Sequence, residues 1–171
     1  KKIEKELSYM GNNYKIGISW KSFRKKKSIG LIKSMELNDF QSLINLPKLT
    51  FINLQYGDIK KEILEFNNNN HRIHTIESVD MYDDLITLAA LLKNLNLFIA
   101  TSNTTAHLAG ALGVETWLIK PKNHASFPYW NQVSDQTPWY SSIKLYDGNK
   151  NTEEIVGDIK NDLLKKFNLE E

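Results

Sequence analysis

Two rhythms alternate along this chain. Short apolar bursts, some strictly alternating with polar residues, fit strands: YKIGISW (14–20), LTFINLQ (49–55), LNLFIA (95–100), ETWLIK (115–120) and SIKLY (142–146), with a shorter one near Arg72–Ile76. Between them the apolar residues take helical spacing. Leu37, Phe40, Leu43 and Ile44 share one face of a helix over 36–45, which Pro47 closes. Ile59, Ile63, Leu64 and Phe66 mark a second helix that ends in the Asn run 67–70. DDLITLAALLKN (83–94) is a strongly amphipathic helix begun by an Asp cap, Asp83 or Asp84. SNTTAHLAGALG (102–113) reads as strand end, loop and helix, with Gly113 as its stop. A short charged helix opens the chain. Thr152 caps a last helix running to Phe167, with Glu153 and Glu154 at its start and Lys165 and Lys166 at its end, as the helix dipole favours.

Strand and helix therefore alternate throughout, and several strands are nearly all apolar, as strands covered on both faces must be. The pattern predicts an α/β fold: a doubly wound, mostly parallel sheet with helices on both faces. Residues 121–140 read as a long aromatic-rich loop carrying Trp130, Trp139 and Tyr140, which pack it onto the core or wall a pocket.

The length of 171 residues allows one domain spanning 1–171, large enough to bury roughly 70% of its unfolded surface. A net charge of +2 argues against a nucleic-acid protein held by bulk charge. With no cysteine there is no disulfide, thiolate or Cys-based metal chemistry. No apolar run reaches membrane-spanning length, and KKIEKELSYM lacks the apolar centre of a signal peptide, so the cytoplasm is the expected location. A start without Met suggests a piece of a longer chain. His71 and His74 sit three apart but lack a third ligand in sequence, so no metal site is expected.

In such sheets, ligands lie beyond the carboxyl ends of the strands. Ser102, Asn103, Thr104 and Thr105 fall there, at a helix start whose free N–H groups and dipole favour an anion. Two readings stand side by side: a phosphate site, or simple capping by Ser102 or Thr104 before a core helix. Small residues Ala106, Ala109, Gly110 and Ala111 would let that helix pack tightly on the sheet. His107 is either a satisfied structural histidine or a neutral donor to a ligand, because the dipole disfavours its cation. Arg24, Lys25, Lys26 and Lys27 follow the first strand at the same edge, as a solvated charge run or as the neutraliser of a diphosphate. Gln55 and Tyr56 in LQYGD (54–58) meet a base or sugar, or form a turn. VDMYDD (79–84) offers helix caps or a ribose contact.

Taken together, these stretches resemble the C-terminal half of GT-B glycosyltransferases. The nearest group is the bacterial domains that follow tetratricopeptide repeats, related to lipopolysaccharide heptosyltransferases and, more remotely, to O-linked GlcNAc transferases. The likeness is carried by IGISW (16–20), KSI (27–29), FINLQYGD (51–58), the helix over 83–94, NTTAHLAGALG (103–113) and TPWYSSIKLY (137–146). It implies a Rossmann-like donor domain for a nucleotide-diphosphate sugar, used as substrate, with no cofactor and no metal required. Ser102–His107 would cradle the diphosphate. Arg24 and Lys27 would supply charge, and Lys27 and His107 would stabilise the leaving group. Gln55 and Tyr56 would lie near base and ribose. The implied partners are an N-terminal acceptor domain or tetratricopeptide repeats outside this chain, without which the domain binds donor but turns over little. A non-catalytic nucleotide-binding or scaffolding module derived from a transferase is the alternative. The chain departs from heptosyltransferases at Ser102, where an Asp is usual, and at Asn103–Thr104, where Thr-Gly is usual. Glu115 and Ser141 replace prolines of the wider group.

Overall fold

A computed structural model describes residues 2–22, 33–69, 71–122, 128–130 and 135–170. In chain order the elements are α1 (Lys2–Ser8), β1 (Tyr14–Ser19), a 3-10 turn (Leu37–Phe40) running into α2 (Gln41–Ile44), β2 (Leu49–Asn53), α3 (Lys60–Asn68), β3 (Ile73–His74), α4 (Leu85–Lys93), β4 (Leu97–Thr101), α5 (Thr104–Ala111), β5 (Thr116–Ile119), a 3-10 turn (Pro128–Trp130), β6 (Gln136–Thr137), β7 (Tyr140–Tyr146) and α6 (Thr152–Phe167).

The described strands form one sheet in the order β3-β2-β1-β4-β5-β7-β6. All neighbours pair parallel except β6 with β7. The parallel strands thus run outward in both directions from the β1–β4 pair, where the winding reverses. That reversal opens a crevice at the carboxyl edge, because the loops after β1 and β4 leave towards opposite faces. The expected doubly wound α/β sheet is the one observed.

Residues alternate between two cores with the period of two that a pleated strand imposes. Ile16, Ile18, Leu97, Ile99, Trp117 and Ile119 face the layer made by α2, α3 and α6, where Leu43, Phe66, Ile159 and Leu163 meet them. Phe98, Ala100, Leu118, Ile143 and Leu145 face α1, α4 and α5, through Ile3, Leu7, Leu88, Leu92, Ala106 and Ala109.

Three local details differ from expectation. Asn151, not Thr152, caps α6: its side chain accepts from Glu154 N and Glu154 returns the bond to the Asn151 backbone. Residues 36–45 split into a 3-10 turn and one α-turn, opened by reciprocal bonds between Glu36 and Asp39. The loop expected over 121–140 contains the short antiparallel strand β6, too brief to show any period in sequence. Gly113 does stop α5. It sits at φ 69°, with Val114 N bonding back to Ala109 O at 2.9 Å.

Behind β5 the backbone closes tightly. A Cβ built on Gly148 would fall 1.7 Å from the carbonyl oxygen of Lys120. Gly148→Ala therefore forces the loop after β7 away from the sheet edge. We expect a loss of about 1–3 kcal/mol, read by urea unfolding; an unchanged midpoint would show that the loop yields freely.

Candidate functional site

The carboxyl ends of β1, β2 and β4 are joined by one buried polar network. Gln55, just past β2, is almost wholly buried, at 1% exposure. Its Oε1 accepts from Ser19 Oγ at 3.0 Å, Trp20 N at 2.8 Å and Lys21 N at 2.7 Å, and its Nε2 donates to Tyr56 O. Asn103 Nδ2 donates to the same Ser19 hydroxyl at 2.7 Å, while its Oδ1 accepts from Ala106 N at 3.0 Å. Asn103 is thus the cap of α5, in place of the expected Ser102 or Thr104. The same side chain ties the helix start to β1 across the crevice.

Ser102 is fully buried and its hydroxyl accepts from Trp130 Nε1 at 2.8 Å. That bond fixes the aromatic segment against the helix start. Thr105 is buried and Thr104 exposed at the first turn of α5. Both line a cavity of about 300 Å³ with Tyr56, Tyr82, Leu85 and Leu108. The rings of Tyr56 and Tyr82 meet edge to face at 5.8 Å. A groove of about 940 Å³, lined by Gln55, Tyr56, Gly57, Asp80 and Tyr82, continues along the ends of β2 and β3. Tyr82 was not singled out from sequence. An aromatic ring 70% exposed in the loop before α4 is the signal that finds it.

His107 is half-buried among aromatic rings. It stacks on Trp130 with centroids 4.6 Å apart, meets Tyr129 edge-on at 4.9 Å, and shares a 3.2 Å hydrogen bond between Nδ1 and Tyr140 Oη. Gly110 makes room for this, since a Cβ there would lie 2.6 Å from the Tyr140 ring. Burial, and then the charge of Lys33, hold the imidazole below its ordinary pKa. Lys33 is itself buried, with Nζ 3.5 Å from Tyr129 Oη. The histidine is accordingly a neutral ring, as its place beside a helix start also favours. Of the small residues expected to seat α5, Ala106 and Ala109 are buried on the sheet, Gly110 lies under Tyr140, and Ala111 faces solvent.

The acidic loop supplies helix and turn caps. Asp84 accepts from Thr87 N at 2.9 Å as the cap of α4, and Asp80 accepts from Tyr82 N and Asp83 N. The Thr87 hydroxyl, which also donates to Asp84, and then the Thr87 N–H hold the Asp84 carboxyl below the usual range, and the Asp83 and Tyr82 N–H groups do the same for Asp80. His71 packs on Phe66 and faces Asn45. Among the described residues no three His, Asp or Glu side chains gather as a metal-binding group. Trp139 is exposed whereas Trp130 is fully buried. Arg24, Lys25, Lys26 and Lys27 lie outside the described residues. No helix in the described chain is long and apolar enough to cross a membrane.

No protein family model matches the chain. It is similar to protein FlbA of Caulobacter vibrioides, 28% identical over 146 residues, an alignment that covers 82% of this chain and 23% of FlbA. The chain therefore spans about a quarter of that relative's length.

Two tests follow from this geometry. Gln55→Leu keeps the volume but strands three donors at the β1 end. It should cost about 3 kcal/mol or more, measured by urea unfolding, because each buried donor left unpaired costs roughly 1–3 kcal/mol. A neutral result would remove Gln55 from its structural role. The His107 prediction concerns pH. A histidine with a depressed folded pKa binds fewer protons folded than unfolded, so its contribution to stability falls as pH drops below the unfolded value of 6.5. His74 shares the same sign, held low by burial and then by Arg72. Stability should fall between pH 7 and pH 5.5, and His107→Gln should flatten part of that slope. An unaltered slope in the variant would exclude His107 as its source.

Proposed function

We propose that this domain binds the nucleotide-diphosphate part of a sugar donor for a metal-independent glycosyl transfer carried out with a partner domain beyond this chain. One observation carries the reading. The first turn of α5, with Thr104 and Thr105, opens into the cavity that the Tyr56–Tyr82 pair walls, at the strand reversal of a doubly wound sheet. Helix N–H groups and threonine hydroxyls suit phosphate oxygens, and paired aromatic rings suit a base. The resemblance of NTTAHLAGALG and FINLQYGD to donor-domain stretches of GT-B transferases supports the same assignment.

In this reading the fixed donors at α5 meet the charge that develops on the leaving diphosphate, with no reorganisation at the moment of transfer. Lys27 adds a cation from the basic loop and Arg24 a second. Neutral His107 donates from the ring nitrogen that Tyr140 does not engage. Gln55 acts by positioning: it holds the β1 end and the Tyr56 carbonyl rather than touching the ligand. The cytoplasm is the compartment where such donors are met.

A non-catalytic module descended from a transferase is the second reading. The Ser102 hydroxyl favours it: where related transferases carry an acid, this residue is buried and bound to Trp130. Calorimetric titration with UDP, GDP, ADP and CMP in EDTA separates the two. Saturable binding of one nucleotide is expected, and Lys27→Ala and Thr104→Val should each weaken it by about 1–3 kcal/mol. Failure of the folded domain to bind any of the four would overturn the donor reading and leave the scaffold.

A further inference from the structure

Helix α4 is apolar on its outer side as well as its inner one. Leu88, Leu91 and Leu92 are its buried side and pack into the core beneath it. At about 3.6 residues per turn, the opposite side falls on Ile86, Ala90 and Lys93, with Ala89 beside them. Ile86 is 84% exposed, more than any other large apolar side chain among the described residues. A helix that is apolar on both sides is normally covered on both.

The two ends of this outer stripe carry opposite charge. Asp83 stands exposed at the helix entrance, and Asp84 rather than Asp83 is the cap. Lys93 stands exposed in the last turn. Its Nζ donates to Leu112 O at 3.2 Å, which uses one of its three donors and none of its charge.

The order along the stripe is self-complementary. Asp83 and Lys93 each lie five positions from residue 88, and Ile86 and Ala90 each lie two. A two-fold axis passing opposite residue 88 therefore sets Asp83 of one copy against Lys93 of the other, and Ile86 of one copy against Ala90 of the other. Each pair occurs twice, and one register satisfies both. A large side chain meets a small one at each apolar contact. The alanines at 89 and 90 let the helix axes approach to the near end of the roughly 8–10 Å range. The antiparallel alignment also sets the two helix dipoles against each other favourably.

We infer that the outer face of α4 is a contact between two copies of this chain, which pair their α4 helices antiparallel about a two-fold axis. The matched register singles out a second copy as the occupant. An unrelated apolar surface would not require acidic and basic, large and small positions to fall at equal distances from one point. Such a contact is isologous and closes at two copies. One nine-residue helix a side falls short of the roughly 800 Å² of a standard interface, so the pair is weak and shows at high protein concentration. The inference does not rest on the donor reading, since Ile86, Ala89, Ala90 and Lys93 line none of the Thr104–Tyr56 cavity.

Sedimentation equilibrium over a series of protein concentrations tests it, and a monomer–dimer equilibrium is expected. Ile86→Lys should raise the dimer Kd about tenfold or more, because it removes two apolar contacts and brings two charges into the seam. The side chain is exposed, so this variant keeps its fold. Asp83→Lys should raise the Kd about threefold or more by setting like charges together, and adding Lys93→Glu should bring it back towards the wild-type value. Leu64→Lys, at an exposed apolar position on α3, should leave it unchanged. A protein that stays monomeric throughout overturns the inference and leaves the stripe to a different chain. So does an Ile86→Lys variant that associates as the wild type does, a dimer abolished by Leu64→Lys, or an exchanged charge pair no tighter than Asp83→Lys alone. Nucleotide titration of Ile86→Lys reads the donor site separately, so either assignment can fail alone.

Discussion

Everything at the carboxyl edge depends on the single side-chain oxygen of Gln55. Where β1 ends, Trp20 and Lys21 leave the ladder with their N–H groups turned inward, and no neighbouring strand is placed to receive them. Gln55 Oε1 takes both, together with the Ser19 hydroxyl. Ser19 in turn receives Asn103, which starts α5. The chain of bonds crosses from β2 through β1 to β4, at the one place in a doubly wound sheet where diverging loops would otherwise leave backbone groups unsatisfied. In such dry surroundings each bond is strong, and each would be costly to leave unmade. The crevice is therefore a built feature of the fold, rigid before any ligand arrives.

The aromatic segment extends that rigidity outward. Trp130 anchors on Ser102, His107 stacks on Trp130, and Tyr140 reaches His107 across the bare Gly110 face of α5. A neutral His107 follows from this packing, since the rings desolvate it and Lys33 repels its proton. The lysine is held to the same cluster through Tyr129. One packing arrangement thus decides the helix entry, the charge state of the histidine and the position of a cation.

The sheet and its helices were legible because the apolar bursts and helical spacings are strong, local signals. The carboxyl-edge address of Ser102–Thr105, Gln55 and Tyr56 followed from the order of elements alone. What each side chain does there was not legible. Gln55 and Asn103 find their partners 34–36 and 84 positions away, respectively. A polar residue at a strand end looks the same whether it faces a ligand or a neighbouring strand. Asn103 rather than Ser102 caps α5, and Ser102 instead meets Trp130, a contact 28 positions distant.

The two faces of the sheet edge are lined by different side chains, with Lys33 reaching both. On the α5 side, the described groups near the first turn are hydroxyls, backbone N–H groups and a neutral imidazole with aromatic walls, and Lys33 reaches the same cluster through Tyr129. On the α6 side, the lining is dominated by lysine charge. Strand alternation produces this split, because Ala100 faces α5 while Thr101, one residue on, turns to the other face. Hydrogen-bond donors without net charge discriminate by geometry, and point charges attract at range with little directionality. The Gln55–Ser19–Asn103 network fixes the strand ends and the helix entry on one side, and the close approach of Gly148 to the Lys120 carbonyl fixes the loop after β7 on the other.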